Sequence, residues 1–198
     1  MQTLSRLSFD QVFALAASSA PSPGGGAVMG LCGMMGVGLL MKSVRISLKR
    51  RPDDRALKDA ELEFERLARN LAEDADADAR SFDAYMAAGR LPKETEADAK
   101  ARTETLAAAA LDSIEVALGM LAHAAEAITL AKSIAERISP RMAPDIAGGL
   151  ALLEAVRANA VDNARDSLDR TEGSPRREAM AARLGRLIAE TAEAAERI

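Results

Sequence analysis

Residues 20–41 read APSPGGGAVMGLCGMMGVGLLM, a loop of proline and glycine that leads into a long uncharged run. Two prolines hold the chain extended ahead of three consecutive glycines. Glycine lets bare backbone approach another group closely, and it accepts φ values that other residues resist. A helix that begins directly after the glycines offers free N–H groups to an anion or a polar ring. The loop therefore predicts either a ligand cradle or a tight turn between two helices.

The run 27–41 that follows the glycines contains fifteen residues without a charge. This length falls short of the roughly 20 residues that a helix needs to span a bilayer. Four glycines within the run, Gly30, Gly33, Gly36 and Gly38, lower its hydrophobicity and allow another helix to pack closely. The pattern predicts a fully buried helix at the centre of a bundle or at a subunit interface.

The composition predicts an all-α protein. Aromatic residues make up 3% of the 198 residues, there is no tryptophan, and runs of β-branched residues of strand length are missing. The length fits one domain over residues 1–198, with enough material for a sizeable core. We therefore expect a single-domain bundle of long antiparallel helices that dimerises through its helices.

Proline, glycine and capping residues divide the chain into helices. Ser8 and Gln11 have the form of a capping box at the start of the first helix. In a later helix, Leu57, Leu62, Leu67 and Leu71 are expected to form the apolar stripe. The expected helices cover about residues 9–17, 27–49, 54–87, 94–137 (as one helix or two), 145–168 and 176–198.

Charge and cysteine content restrict the classes of partner. The 26 basic and 30 acidic residues give a net charge of −4, which argues against a nucleic-acid partner. The N-terminus lacks a basic region followed by an apolar stretch, so no membrane partner is expected. The single cysteine, Cys32, fits a reducing cytoplasm. No zinc-ligand spacing or nucleotide-binding fingerprint occurs, so neither a metal nor a cofactor is expected.

Several motifs resemble those of a known family. The loop at 18–26 is followed by an acidic helix with Asp78, Phe82 and Asp83, and the Leu91-Pro92-Lys93 turn comes after it. In these features the chain resembles the cyclodeaminase/cyclohydrolase family, which includes the cyclodeaminase domain of formiminotransferase-cyclodeaminase and the methenyltetrahydrofolate cyclohydrolases. Three later residues also resemble that family's pattern of arginine, aspartate and asparagine, namely Arg102, Asp145 and Asn163. The resemblance implies an all-α bundle that forms dimers, with a folate site close to the glycine loop and to a subunit interface.

The resemblance also implies a set of site residues. Water must add to the amidinium carbon of methenyltetrahydrofolate, and a carboxylate near that carbon could stabilise the cation and accept a proton from the water. Asp78 and Asp145 are the catalytic candidates, although Asp145 could equally cap a helix and the acids around Asp78 could form a solvated face. The expected substrate-binding residues are Pro23, Gly24, Gly25, Gly26, Arg102 and Asn163, with Lys49 and Arg50 for the glutamate tail of folate.

The sequence is compatible with three functions. The first is a methenyltetrahydrofolate cyclohydrolase, because a short chain lacks the transferase partner of a cyclodeaminase domain. The second is a formiminotetrahydrofolate cyclodeaminase. The third is a folate-binding or oligomerising relative without catalysis, which the divergent turn at 138–144 favours. In each case a tetrahydrofolate derivative is the expected small-molecule ligand.

Overall fold

A computed structural model describes residues 3–171 and 173–196. These ranges contain no β-strand, and short 3-10 turns occur at Leu4–Arg6, Ala135–Arg137 and Pro140–Met142. The prediction of an all-α fold is therefore confirmed. The α-helices of the described ranges are α1 (Phe9–Ala16), α2 (Gly25–Leu48), α3 (Arg55–Ala88), α4 (Glu96–Ser133), α5 (Ala143–Asp169) and α6 (Pro175–Glu196).

Helix ends follow the capping signals in the sequence. Ser8 and Gln11 form the predicted capping box at the start of α1. The stretch from Glu96 to Ser133 forms one continuous helix, which decides between the one-helix and two-helix alternatives. Helix α5 begins at Ala143, so Asp145 lies inside its first turn and does not cap it. The predicted end of the last helix at residue 198 lies outside the described residues.

Helices α2 to α5 form a four-helix bundle. Helix α2 packs against α3 and α5, and α4 packs against the same two helices from the opposite corner. Because the connections between consecutive helices are short, neighbouring helices run antiparallel. The beginnings of α2 and α4 therefore lie at one end of the bundle together with the ends of α3 and α5. Helix α6 packs against α4 and α5.

Glycines bring α2 into close contact with both of its neighbours, as the sequence predicted. A Cβ on Gly36 would lie 2.9 Å from the carbonyl oxygen of Gly149, and a Cβ on Gly149 would lie 2.8 Å from that of Gly36. On the other side, a Cβ on Gly30 would lie 2.8 Å from the Cβ of Ala75. These separations are too short for a side chain, so glycine sets the distance between the helices.

Two predictions about burial are wrong for the single chain. Helix α2 is not fully buried, since Met35 is 62% exposed on the face turned away from α3 and α5. Leu62 is 67% exposed, and Phe64 replaces it in the apolar stripe with Leu57, Leu67 and Leu71. The spacings 57, 64, 67 and 71 follow the helical period, whereas a step of five residues rotates Leu62 off that face.

Helices α2 and α4 are long and apolar enough to cross a membrane by length and composition alone. The core helix of a soluble bundle passes the same test. In this fold both helices contribute residues to the main hydrophobic core, among them Val37 and Leu40 of α2 and Leu118 and Leu121 of α4.

Candidate functional site

A cavity of about 240 Å³ lies at the end of the bundle where α2 and α4 begin and α3 and α5 finish. Its walls come from all four bundle helices and from the glycine loop. The lining residues are Pro21, Gly24, Gly25, Gly26, Asp78, Ser81, Phe82, Tyr85, Ala110, Ser113, Asn163, Asp166, Ser167 and Arg170. The structure thus brings together the glycine triplet, Asp78 and Asn163, which are far apart in the sequence and were each predicted as site residues.

The carboxyl group of Asp78 lies directly on the backbone of Gly26. A Cβ on Gly26 would overlap this group, with Asp78 Cγ at 2.5 Å and Oδ2 at 2.7 Å. The amide of Ala27, in the first turn of α2, donates a hydrogen bond to the carboxylate. The N-terminal end of α2 therefore holds Asp78 through a free N–H group and the positive end of the helix dipole.

Burial raises the pKa of Asp78 above the usual value of an aspartic acid, and the hydrogen bond from the Ala27 amide opposes this rise only in part. The side chain is half-buried on the cavity wall. A carboxyl group with a raised pKa in a cavity is the type of group that exchanges protons in general acid–base catalysis. The other predicted carboxylate, Asp145, does not line this cavity.

Within the glycine triplet, only Gly26 requires the absence of a side chain, because a Cβ on Gly24 or Gly25 would meet no atom closer than 3.7 Å. No glycine of the described residues has a positive φ, so the loop does not depend on the φ values that glycine alone accepts readily. Gly24 caps the start of α2 in an extended conformation, and Gly25 and Gly26 form its first turn. Close approach of Asp78 to Gly26 explains the glycine there. Pro23 faces two neighbouring clefts and does not line the cavity.

The opposite wall of the cavity is formed by the last turns of α5. Asn163 Nδ2 donates a hydrogen bond to Asn159 Oδ1 at 3.1 Å, which orients the Asn163 amide. Further along α5, Arg170 Nη2 lies 2.7 Å from Asp166 Oδ2. The guanidinium carbon of Arg170 lies 6.0 Å from the ring centroid of Tyr85 on α3, within the range of a cation–π contact. A cation and an aromatic ring thus stand together at one edge of the cavity.

Two aromatic rings line the cavity. The chain has four phenylalanines, one tyrosine and no tryptophan. Phe82 and Tyr85 line the cavity from one face of α3. Flat apolar rings beside a carboxylate and an amide suit a flat heterocycle that carries polar groups at its edge.

Three of the predicted site residues lie towards the far end of the bundle. Asp145 pairs with Lys42 at 3.1 Å, and Lys42 lies about 24 Å along α2 from Gly26. Lys49 is the C-terminal cap of α2 and Arg50 follows it, so both lie at the far end of the bundle. These placements correct the expectation that Asp145, Lys49 and Arg50 share the cavity with the glycine loop.

Arg102 has a structural partner. Its Nε and Nη2 atoms donate to the carbonyl oxygen of Gly89 at 3.2 Å and 3.0 Å, where α3 ends. An arginine at this point satisfies a carbonyl group that the finished helix leaves without an intrahelical partner. Arg102 does not line the cavity.

Several lining residues were not predicted as site residues from the sequence, although the helical period connects them to residues that were. Starting from Asp78, steps of three, four and seven residues reach Ser81, Phe82 and Tyr85. The same steps from Asn163 reach the other missed residues on α5, which are Asp166, Ser167 and Arg170. Ser113 on α4 had no such signal.

A larger cavity of about 540 Å³ lies beside α4, α5 and α6 and contains several glutamates. Most of these acids already have basic partners, since Arg66 pairs with Glu63 and Glu126, and Arg157 pairs with Glu154. In the part of the chain that the structure describes, no group of three or more His, Cys, Asp or Glu side chains could hold a metal ion. The smaller cavity with Asp78 is therefore the better candidate for chemistry.

Residues 8–186 match the model of the family described as formiminotransferase-cyclodeaminase. The chain is 34% identical over 142 residues to methenyltetrahydrofolate cyclohydrolase of Methylorubrum extorquens, which covers 70% of this chain and 67% of that protein. Formiminotetrahydrofolate cyclodeaminase from Thermotoga maritima has a similar fold, with a TM-score of 0.68 and 22% sequence identity. That likeness covers 97% of this chain and 93% of the other.

Proposed function

Because this chain belongs to the formiminotransferase-cyclodeaminase family, we propose that it is a folate one-carbon enzyme that hydrolyses 5,10-methenyltetrahydrofolate to 10-formyltetrahydrofolate. The relative from Methylorubrum extorquens supports this reaction by its name and by its 34% identity. The observation that carries the proposal is the half-buried carboxyl group of Asp78, which lies on Gly26 in a cavity lined by aromatic rings and Asn163.

The reaction needs one group that can both accept and return a proton. Water attacks the amidinium carbon between N5 and N10 of the substrate, and Asp78 accepts one proton of that water. The bond from the carbon to N5 then breaks, and the same carboxyl group returns its proton to N5. The remaining hydroxyl proton leaves to solvent as the formyl C=O forms on N10. The negative charge of Asp78 also stabilises the cationic substrate beside it.

Asn163 and the aromatic residues position the substrate. The Asn163 amide offers one acceptor and its second N–H to the edge of the pterin ring, while its first N–H is engaged by Asn159. The rings of Phe82 and Tyr85 pack against the flat part of the ligand. Holding water, carboxylate and amidinium carbon in one geometry supplies the remaining catalysis through proximity.

The wild-type protein is expected to accelerate the loss of the methenyl absorbance of 5,10-methenyltetrahydrofolate near neutral pH. The measurement uses a buffer that does not itself catalyse the hydrolysis, with heat-denatured protein as the control. Ammonia release from formiminotetrahydrofolate is followed in parallel, because a cyclodeaminase releases ammonia and a cyclohydrolase does not. An unchanged decay of the methenyl absorbance would reject the proposed reaction. Calorimetry with tetrahydrofolate would then distinguish a folate-binding protein from an unrelated scaffold.

We further propose that two copies of the chain associate through α2. The outer face of α2 carries the exposed Met35 with the half-buried Val28, Leu31 and Leu39 around it, and it has no charged residue before Lys42. Phe9 and Phe13 of α1 are 85% and 67% exposed close to the start of α2. Large apolar side chains on one uncovered face are typical of a protein–protein interface. A partner would bury the residues that the sequence pattern predicts to be buried.

Light scattering is expected to give a mass near twice the 20.9 kDa of one chain at micromolar concentration. The substitution Met35→Glu is expected to reduce this mass to that of one chain, because the glutamate would bring an unpaired charge into an apolar interface. Circular dichroism of the same variant checks that the helices remain. A wild-type mass of one chain would contradict the dimer.

A further inference from the structure

We propose that Arg170 recognises the glutamate carboxylates of the folate tail and thereby sets the specificity of the site for a glutamylated substrate. This inference rests on the proposed function and adds the direction in which the substrate lies. Arg170 stands at the edge of the cavity, over Tyr85 and beside Asp166, and its side chain is 50% exposed.

The cavity extends along α3 from Asp78 to Tyr85. Asp78 marks one end, Ser81 and Phe82 lie one turn further, and Tyr85 lies two turns further on the same face. Seven residues of helix span about 10 Å, so Tyr85 and the Arg170 above it lie about that far from Asp78. The volume of about 240 Å³ suits the fused rings of the substrate. We place the rest of the molecule over Tyr85, where the side chain of Arg170 is half exposed.

The substrate has a matching length. An aminobenzoyl ring and one amide bond separate the reacting carbon from the α-carboxylate, and ordinary bond lengths put these two groups about 10 Å apart. With the amidinium carbon at Asp78, the benzoyl ring reaches Tyr85 and the α-carboxylate reaches Arg170. In the same chain, Lys49 and Arg50 cannot bind this carboxylate, because Lys49 lies about 35 Å along α2 from Gly26 and Arg50 follows it.

Arg170 can exchange its present partner for a ligand. Its ion pair with Asp166 joins two exposed groups, with side chains 50% and 61% accessible, and such pairs contribute little to stability. A guanidinium group has five donors and binds a carboxylate through two parallel hydrogen bonds. Arg170 is thus held in place by Tyr85 and Asp166 while it keeps donors for a ligand carboxylate.

The test compares a ligand that carries the glutamate with one that lacks it. Binding of tetrahydrofolate and of tetrahydropteroate is measured by calorimetry for the wild type and for Arg170→Gln. The wild type is expected to bind tetrahydrofolate about tenfold to a hundredfold more tightly, as hydrogen bonds to a charged group would give. Arg170→Gln is expected to remove this preference by weakening only the binding of tetrahydrofolate. Arg170→Lys should restore part of the preference.

Arg165→Gln is the matched control, because Arg165 is an exposed arginine on the same helix that does not line the cavity. It should keep the full preference for the glutamylated ligand. Equal weakening of both ligands by Arg170→Gln, or an undiminished preference in that variant, would overturn the assignment of Arg170. If the wild type binds neither ligand, the proposed function fails, and the role of Arg170 fails with it.

Discussion

Replacing Asp78 by asparagine is expected to lower kcat for methenyltetrahydrofolate hydrolysis by about 10²–10⁴, the usual contribution of a positioned general acid–base group. Asparagine has nearly the same shape and can still accept a hydrogen bond from the Ala27 amide, but it cannot take a proton from water. The initial rate of absorbance loss measures the effect.

Asp162→Asn is the matched control, since Asp162 is exposed on α5 next to Asn163 and does not line the cavity. Its rate should equal that of the wild type. Asp145→Asn should also keep the wild-type rate, because the structure pairs Asp145 with Lys42 at the far end of the bundle. Activity that survives in the Asp78 variant and disappears in the Asp145 variant would reverse the assignment.

Because the pKa of Asp78 is raised, both activity and folding stability should depend on pH in a way that Asp78→Asn removes. The base must be ionised, so kcat/KM of the wild type should fall on acidification at a pH above the ordinary aspartate value of about 3.9. The contribution of Asp78 to folding stability should instead increase on acidification. A carboxyl group whose pKa is raised by folding stabilises the folded state at low pH, and this contribution is lost as the pH rises through the folded pKa.

Asp78→Asn should therefore unfold at a higher temperature than the wild type at neutral pH, and the difference should shrink as the pH is lowered towards the unfolded pKa. Thermal melts at several pH values measure this difference. An Asp78 that served only to cap α2 would behave in the other way, with loss of stability and unchanged activity in the variant.

Gly26→Ala is expected to abolish measurable hydrolysis and to weaken tetrahydrofolate binding. The added methyl group would overlap the carboxyl group of Asp78, with Oδ2 at 2.7 Å and Cγ at 2.5 Å. The side chain of Asp78 would have to leave the N-terminus of α2, and overpacking of this kind costs about 1–3 kcal/mol. A shift of about 1 Å in a catalytic group is enough to lower a rate about a hundredfold.

Gly185→Ala provides the comparison for Gly26→Ala. A Cβ on Gly185 of α6 meets no atom within 4 Å, so the substitution should leave activity unchanged and raise stability slightly through the better helix propensity of alanine. Rate assays, calorimetry and denaturant unfolding are carried out on both variants. Full activity in Gly26→Ala would show that the glycine loop is only a turn.

Much of the fold could be predicted from local signals. The capping box at Ser8 and Gln11, the prolines and the glycine punctuation give helix bounds within a few residues of the structure. Leu62 shows the limit of such signals, since a leucine in a leucine-rich segment is still exposed when it falls outside the helical period. Met35 shows another limit, because an uncharged helix does not reveal whether its own chain or a partner covers it.

The candidate site could be predicted only in part. The glycine triplet, Asp78 and Asn163 were found because loop composition and family motifs mark them. Arg170 and Tyr85 follow from those positions by the helical period, once one knows which face of each helix is turned inward. Lys49, Arg50 and Asp145 have suitable chemistry but lie at the wrong end of the bundle.

Local sequence signals are enough to predict that this chain forms long helices, about where they begin and end, and that a glycine-rich segment starts one of them. Those properties depend on neighbours within a few residues, where propensity and capping act. The contact of Asp78 with Gly26 and the position of Arg170 over Tyr85 depend on how the helices pack in three dimensions. The helices of an antiparallel bundle join residues far apart in the chain at one end, and only their packing determines which residues meet there.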